Sequence, residues 1–319
     1  MLAILVLLLI GGGGLAGWLY LRSVEHEVKR VDAFRGLPDE QRPVRAAASA
    51  LNFLVVGTDK TEPGDSVSRT DTIMVVHIPR SRDRAQLISI PRDTWTTIPQ
   101  SLPEDGGGPR KAKINAAYAW GGEPLLVRTI EQFTRVRVDH VVVVDFAGFG
   151  KVIDVLGGVE VSVDKPFVSE LAPGGLLKPG MHHMDRALAL DYARQRKQFA
   201  DGDYSRMRHQ QAIVAAVMRE AGRKGVLADP GQLNDFLRAT AGAVQVDRDL
   251  ALSDTVWGLR QIRSDKVTML TSPTSGVGTV GDQSVIFPDL PASAKLFDAV
   301  KNDRMDAWLA ENPSAVDGN

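Results

Sequence analysis

Arg69, Arg92, Arg194, Arg196, Arg206 and Arg208 fall in short clusters interleaved with Asp59, Asp71, Asp93 and Asp203, in a chain whose net charge is only −1. The clusters read Gly57-Thr58-Asp59, Arg69-Thr70-Asp71-Thr72, Ile90-Pro91-Arg92-Asp93, Ala193-Arg194-Gln195-Arg196 and Gly202-Asp203-Tyr204-Ser205-Arg206-Met207-Arg208. A guanidinium is always ionised and presents a planar fork of donors, so several converging on one place repel one another unless a polyanion or carboxylates neutralise them. Clustered arginine therefore implies an anionic ligand. Aspartates among the arginines suit Mg2+ (or Mn2+), which shares one or two protein carboxylates with substrate phosphate oxygens. The combination reads as a diphosphate site. Taken singly, each of these residues is an ordinary surface charge or ion-pair partner; the reading rests on the set.

Bringing such clusters together requires strands and helices to carry them. Residues 52–57 form a short apolar run expected of a buried strand, followed by a polar loop to Arg69. Residues 72–78 and 85–90 are further β-rich runs around a polar Arg80-Ser81-Arg82-Asp83 turn, and the three together predict a central sheet. Helical spacing appears over 116–119 and 124–133, then a β-branched strand over 138–146, a helix over 147–156 stopped by Gly157-Gly158, and a strand over 159–163. A long helix is predicted over 203–221, with Met207, Val214, Val217, Met218 and Ala221 on its apolar face. Arg206 and Gln210, four residues apart, share another face. Upstream, residues 187–192 lead into Arg194-Gln195-Arg196, read as extended, whose alternate side chains would point the same way. Helices are expected over 230–240, 249–263 and 291–300, with a strand over 266–270 and a frayed end over 311–319. Strands alternating with helices indicate an α/β sandwich.

Composition narrows the function classes. With 319 residues, 44% of them hydrophobic, the chain can bury a substantial core. Its 38 basic and 39 acidic residues lack the concentrated basic excess of a nucleic-acid binder, and that class is set aside. The absence of cysteine excludes a disulfide framework, a thiolate nucleophile and a Cys-ligated metal. Residues 1–21 are uncharged and apolar, long enough to cross a bilayer core that takes roughly 20 residues. Arg22 ends the stretch abruptly, while Trp18 and Tyr20 suit a membrane interface, so the reading is an uncleaved anchor rather than a signal peptide. A stalk and linker over 22–48 lead to a folded domain over 49–310. Charge alone points the other way for orientation: nothing basic precedes the span, whereas Arg22, Lys29 and Arg30 come after it, which on the positive-inside rule keeps the domain in the cytoplasm. A basic segment upstream of the given start would reverse that.

Several motifs are rejected. Gly276-Val277-Gly278-Thr279-Val280-Gly281 matches the dinucleotide glycine pattern, but residues 282–287 read as loop and strand rather than helix, so a hairpin is expected. Asp201-Gly202-Asp203-Tyr204-Ser205 begins like a calcium loop, yet Arg206 stands at the turn glycine and Ala212 at the bidentate glutamate. No phosphate loop, nucleophile elbow or paired-His zinc helix occurs. His182 and His183 are assigned to a surface turn after Lys178-Pro179-Gly180, and Trp95, Tyr118 and Trp120 to core packing.

Six motifs in fixed order carry a resemblance: Val56-Gly57-Thr58-Asp59; Arg69-Thr70-Asp71-Thr72-Ile73-Met74; Ser89-Ile90-Pro91-Arg92-Asp93; Lys113-Ile114-Asn115-Ala116-Ala117-Tyr118; Asp154-Val155-Leu156-Gly157-Gly158-Val159; and Ala193-Arg194-Gln195-Arg196 through Asp203, Arg206 and Gln210-Gln211. Over residues 50–222 the chain closely resembles the LytR-CpsA-Psr proteins of bacterial cell envelopes, and the Arg208-His209-Gln210-Gln211 variant suggests an actinobacterial member. The resemblance implies one membrane span and an extracytoplasmic domain built as an α-β-α sandwich around a central mixed sheet. It also implies transfer of a glycopolymer from a polyprenyl diphosphate carrier to peptidoglycan through a phosphodiester. Carried over residue by residue, Asp59 and Asp71 would hold Mg2+. Arg69, Arg92, Arg194, Arg196 and Arg206 would surround the diphosphate, with Lys113 and Gln210 nearby. The prenyl chain would lie in an apolar tunnel lined from residues 141–146 and 207–218.

The chemistry agrees. Phosphoryl transfer asks a protein mainly to align nucleophile and leaving group and to neutralise oxygen charge, which arginine forks and a divalent cation both do. A sugar hydroxyl would attack the phosphorus attached to the glycan and expel prenyl phosphate, with Asp71, Asp93 or Asp203 as base. Two rivals use the same residues. A diphosphatase would release free glycan phosphate with water as nucleophile, and a non-catalytic wall-polymer or lipid binder would be indifferent to chelation. Paired aspartates are superfluous in a mere anion receptor, which ranks the transferase first.

Overall fold

The computed structural model describes residues 27–46, 49–58, 70–100, 108–195, 198–199, 203–223, 230–259, 262 and 266–316, apart from a few side chains within its helices. In chain order these form β1 (Lys29–Val31), β2 (Leu51–Thr58), β3 (Thr70–Ile78), β4 (Ala85–Ile90), β5 (Trp95–Ile98), β6 (Arg110–Lys113), α1 (Ala116–Thr134), β7 (His140–Asp145) and α2 (Phe146–Val155). Next come β8 (Val159–Val163), β9 (Phe167–Val168), β10 (Leu176–Leu177), β11 (Gly180–Met184), α3 (Arg186–Arg194), α4 (Asp203–Arg223), α5 (Pro230–Ala243), β12 (Val244–Asp247) and α6 (Leu252–Leu259). The chain closes with β13 (Val267–Thr271), β14 (Thr274–Val280), β15 (Gln283–Pro288), α7 (Leu290–Lys301) and α8 (Met305–Glu311). Two compact units emerge. Arg30–Val143, Val246–Leu250 and Asp265–Asn319 make a sheet unit; Val144–Gln245 and Ala251–Ser264, with the residues before Arg30, make a helix unit.

The sheet has the order β1-β12-β7-β2-β3-β4-β13. It is mixed: β2 and β4 each run antiparallel to β3, while β13 runs parallel to β4. Leu54, Val56, Ile73, Val75 and Ile88 are at most 1% exposed and share a core with Leu126 and Ile130 of α1 and Leu296 and Phe297 of α7. Each such side chain contributes about 1.5–3 kcal/mol on leaving water. The alternating set Phe53, Val55, Met74, Val76 and Leu87 is buried as well, which is why these strands read as continuous apolar runs.

Three expectations change in this unit. Part of the supposed linker belongs to the fold: β1 is the sheet's edge strand, Ala33 is buried in the core, and Arg42 makes a bidentate pair with Glu131 at 2.7 to 3.2 Å. Three residues of edge strand are too few to show a period-two pattern. The end expected to fray from Glu311 instead closes a 3-10 turn, Pro313–Ala315, and Val316 bridges Leu270. The two helical stretches expected after Asn115 are both present within α1, separated by a kink at Gly121 and Gly122, where Gly122 takes φ 63° ahead of Pro124. Trp120 is not core: it is 40% exposed, with the Arg110 guanidinium stacked 3.7 Å from its ring centroid. The Gly276 motif lies in β14, hairpinned to β15, in keeping with its rejection as a nucleotide loop.

In the helix unit, α2 ends as its glycines require. Gly157 and Gly158 have φ of 64° and 98°, and the Gly158 N–H returns to the Ile153 carbonyl at 3.0 Å, closing the helix in a left-handed cap. β8 pairs antiparallel with β11, so His182 and His183 lie in a strand rather than the expected turn, with His183 exposed and His182 partly so. The helix expected over 249–263 is present as α6, which begins at Leu252. Among the described residues no helix is long and apolar enough to cross a membrane; the predicted span, residues 1–21, lies outside them.

Candidate active site

Asp71 owes its position to a register shift. Gly57 pairs with Thr72 but Thr58 pairs with Thr70, so Asp71 is the extra residue of a β-bulge on β3. A bulge bends the strand and re-aims the side chain it displaces; here the carboxylate meets Arg92 in an ion pair. Arg92 and Asp93 occupy the turn that ends β4, and Asp93 in turn pairs with Lys113 of β6, 3.2 Å away. Two crossed ion pairs thus share one dipeptide. All four side chains are 13–24% exposed, open enough to exchange partners with an incoming anion.

The backbone under this turn is tied on three sides. Pro91 O accepts from Thr94 N at 3.0 Å and Thr94 Oγ1 at 2.6 Å, Arg92 O from Asn115 N at 3.2 Å, and Asp93 O from Ile286 N of β15 at 2.9 Å. The β5–β6 hairpin lays Lys113 opposite Trp95, which fixes the lysine beside the turn. A site whose charges develop during reaction benefits from donors that do not have to reorganise.

The helix unit holds its part of the predicted set differently. α3 is capped by Asp185, whose carboxylate accepts from Leu188 N at 2.9 Å, and Arg194 lies in its last turn, exposed. This corrects the extended reading for Arg194 alone, Gln195 being extended as expected: Leu188, Ala189, Tyr192 and Ala193 are a helical apolar face, and a cation in a final turn favours the helix dipole. On α4, Arg206 and Gln210 share a face and are only 5% and 7% exposed. At that depth the low surrounding dielectric strengthens whatever a guanidinium engages. Between them stands His209, 1% exposed, stacked on Tyr192 of α3 with ring centroids 4.1 Å apart and met edge-on by Phe199 at 4.7 Å. Asp164, after β8, lies 3.9 Å from His209 Nε2 and 3.5 Å from Arg208 Nε. Burial, with the Asp164 charge adding to it, pushes the Tyr192 phenol above its usual range, so it stays neutral.

Within the sheet unit the structure therefore brings together Asp71, Arg92, Asp93 and Lys113, and within the helix unit Arg206 and Gln210. Asp59, Arg69 and Arg196 lie outside the described residues, as does the side chain of Asp203, which opens α4. Sequence reasoning passed over Tyr192, His209 and Asp164, which brace the arginine-bearing helices, and the β15 strap under Asp93. His209 sits three residues after Arg206, and that spacing was the available signal; Asp164 looks like any strand end.

A family model described as the LytR_cpsA_psr family matches residues 22–302. The chain belongs to the LytR-CpsA-Psr family. It is 31% identical over 253 residues to a probable cell wall biosynthesis protein LcpB of Corynebacterium glutamicum, covering 75% of this chain and 58% of that protein's length. It is 30% identical over 238 residues to a polyisoprenyl-teichoic acid--peptidoglycan teichoic acid transferase TagU of Bacillus cereus, covering 73% of each. Among solved structures, B. subtilis TagV superposes with a TM-score of 0.60 at 27% identity, over 81% of this chain and 98% of that one. The mixed-sheet α/β fold is that of LytR-CpsA-Psr structures.

Proposed function

We propose that this LytR-CpsA-Psr protein is a phosphotransferase that moves a glycopolymer from a polyprenyl diphosphate carrier to a peptidoglycan sugar hydroxyl. The observation that carries the reading is the turn presenting Arg92 to Asp71 and Asp93 to Lys113 beside a bulged strand of the sheet. Relatives named as cell-wall biosynthesis and teichoic acid transfer proteins support it. The apolar stretch of residues 1–21 is read as a membrane anchor, with the catalytic domain outside the cytoplasm where its acceptor lies.

On this reading the diphosphate displaces the internal carboxylate partners. Arg92, with Lys113, neutralises its oxygens; Arg69, Arg194, Arg196, Arg206 and Gln210 are the further donors that the family resemblance implies for it. Asp93, released from Lys113, takes the proton from the attacking hydroxyl. The oxygen forms a bond to the glycan-bearing phosphorus while the bridging P–O bond breaks, and prenyl phosphate leaves carrying the negative charge. Among the described residues no group of three or more His, Cys, Asp or Glu gathers. Mg2+ shared with a substrate needs only one or two protein carboxylates. Asp71, with Asp59, would hold it, and when bound it supplies further charge neutralisation on the diphosphate.

The test is transfer of labelled glycan from a polyprenyl diphosphate donor to peptidoglycan. Arg92→Ala is expected to lower the rate by about 10² to 10³, the cost of removing one preorganised donor, with the thermal midpoint unchanged, and chelation to abolish turnover in the wild type. Wild-type rates from Arg92→Ala sink the proposal.

A further inference from the structure

A second basic surface lies in the sheet unit. Two clefts, of about 590 and 570 Å3, share Gln132, Arg135 and Lys301 in their walls and so form one groove along the C-terminal end of α1 and the length of α7. The first contains Arg128; the second is lined with the hydroxyl side chains Thr96, Thr97 and Ser293. The acids nearby are already matched. Glu131 is gripped by Arg42 at 2.7 Å and accepts from the Val138 N–H at 2.9 Å, while Asp298 pairs with Arg304 at 2.7 Å. Arg128, Arg135 and Lys301 form no ion pair with a carboxylate of the described residues, Arg128 only donating to the Gln100 carbonyl at 3.2 Å. Two helix C-termini oppose an anion here with about half an elementary charge each, against three full cations. The groove is net positive, and Thr96 and Thr97 add hydroxyls to its second cleft.

Its inner end is tied to the candidate active site. Thr96 and Thr97 belong to β5, the strand leaving the Arg92-Asp93 turn, and at about 3.3 Å per residue they stand on the order of 10 to 13 Å along the chain from Asp93. A polymer whose reacting end lies at that turn would reach the groove within a few repeat units.

We propose that this groove binds the anionic glycopolymer itself, holding repeat units beyond the one attached to the diphosphate. The inference rests on the transfer reading above and adds a polyanion subsite to it. Cations beside hydroxyls suit a chain of phosphodiester- or carboxylate-bearing sugars, engaged through charge and hydrogen bonds and weakened by salt.

The experiment uses the full chain in detergent. Fluorescence anisotropy tracks a poly(glycerol phosphate) oligomer, a polygalacturonate of matched length and neutral dextran. The wild type and Arg92→Ala are expected to bind the polyanions alike and to ignore dextran. Reversing charge with Arg135→Glu plus Lys301→Glu is expected to weaken polyanion binding about tenfold or more. The same variant should raise KM for a long-chain donor while leaving kcat, and the KM of a single-unit donor, unchanged. Lys301→Glu alone repeats the test away from Arg135, whose left-handed φ of 60° caps α1. Binding of poly(glycerol phosphate) alone assigns the groove to phosphodiester polymers; equal binding of both polyanions assigns it to acidic glycans as a class. Undiminished binding by the reversed variants overturns the proposal, as does wild-type binding that vanishes in Arg92→Ala. Full transfer activity in Arg92→Ala would instead sink the catalytic reading and leave the groove's binding data standing.

Discussion

The sheet unit and the helix unit present their charged residues by opposite means. Around Arg92 the positions are set by backbone: a bulge aims Asp71, the Pro91 carbonyl accepts from Thr94 within the turn, and the Arg92 and Asp93 carbonyls accept from two other segments. Around Arg206 they are set by side chains, with His209 stacked on Tyr192 and capped by Phe199 between α3 and α4. Backbone ties are redundant and survive the loss of any one side chain. An aromatic staple has no such reserve, because each ring fills space that nothing else can fill.

The largest test of that contrast is His209→Ala. Emptying a fully enclosed ring position costs about 3 kcal/mol, so the thermal midpoint should fall and transfer with it, whereas His209→Phe, which keeps the stack, should recover most of both. An alanine variant as stable as wild type would remove the staple from the account. A smaller effect is expected from acid in the sheet unit. Its His77 is fully enclosed, with Nδ1 2.8 Å from Asn52 Oδ1 and Nε2 3.1 Å from Asp303 Oδ1. Burial lowers its pKa below the ordinary histidine value of 6.5, against the pull of Asp303. The native state then binds fewer protons than the unfolded chain, so the contribution is complete above that value and is lost as pH falls below it, at up to about 1.4 kcal/mol per pH unit. Thermal midpoints between about pH 7.5 and 5 should show the decline, and His77→Gln should flatten it; a midpoint that rises on acidification contradicts the assignment. The smallest expected change is Thr94→Val. It removes the Oγ1 bond to Pro91 O but leaves the Thr94 N–H bond in place. About 1 kcal/mol of stability is lost, with transfer changed no more than a few-fold. A collapse of activity in this variant would mean the turn is not held by its backbone ties.

What the sequence disclosed divides along the same line. Strands β2 to β4 were legible because both of their faces are buried and their residues are β-branched. The end of α2 was legible because a Gly-Gly pair takes φ of 64° and 98° without the steric cost other residues meet there; a Cβ at Gly158 would also stand 2.4 Å from the His183 ring. The diphosphate-type set could be named from residue types alone. Its geometry could not, since the Asp71 bulge exists only as a difference in register between two strands, and no single segment records it. Arg194 was misassigned to an extended segment because α3 is only nine residues long, and its apolar face is visible only once Asp185 is recognised as the cap. The β5–β6 hairpin went unseen because Trp95–Ile98 and Arg110–Lys113 are each four residues, too short to declare a period.

The central claim is that the Arg92 turn transfers a phosphoryl-linked glycan rather than binding or hydrolysing it. Incubating the full chain with a polyprenyl diphosphate-linked glycan and peptidoglycan, then resolving phosphorus species by 31P NMR, tests it most directly. The account predicts one glycan–peptidoglycan phosphodiester for each prenyl phosphate released, with both signals lost in Arg92→Ala. Free glycan phosphate in the presence of acceptor, or product formation indifferent to Arg92, would contradict it.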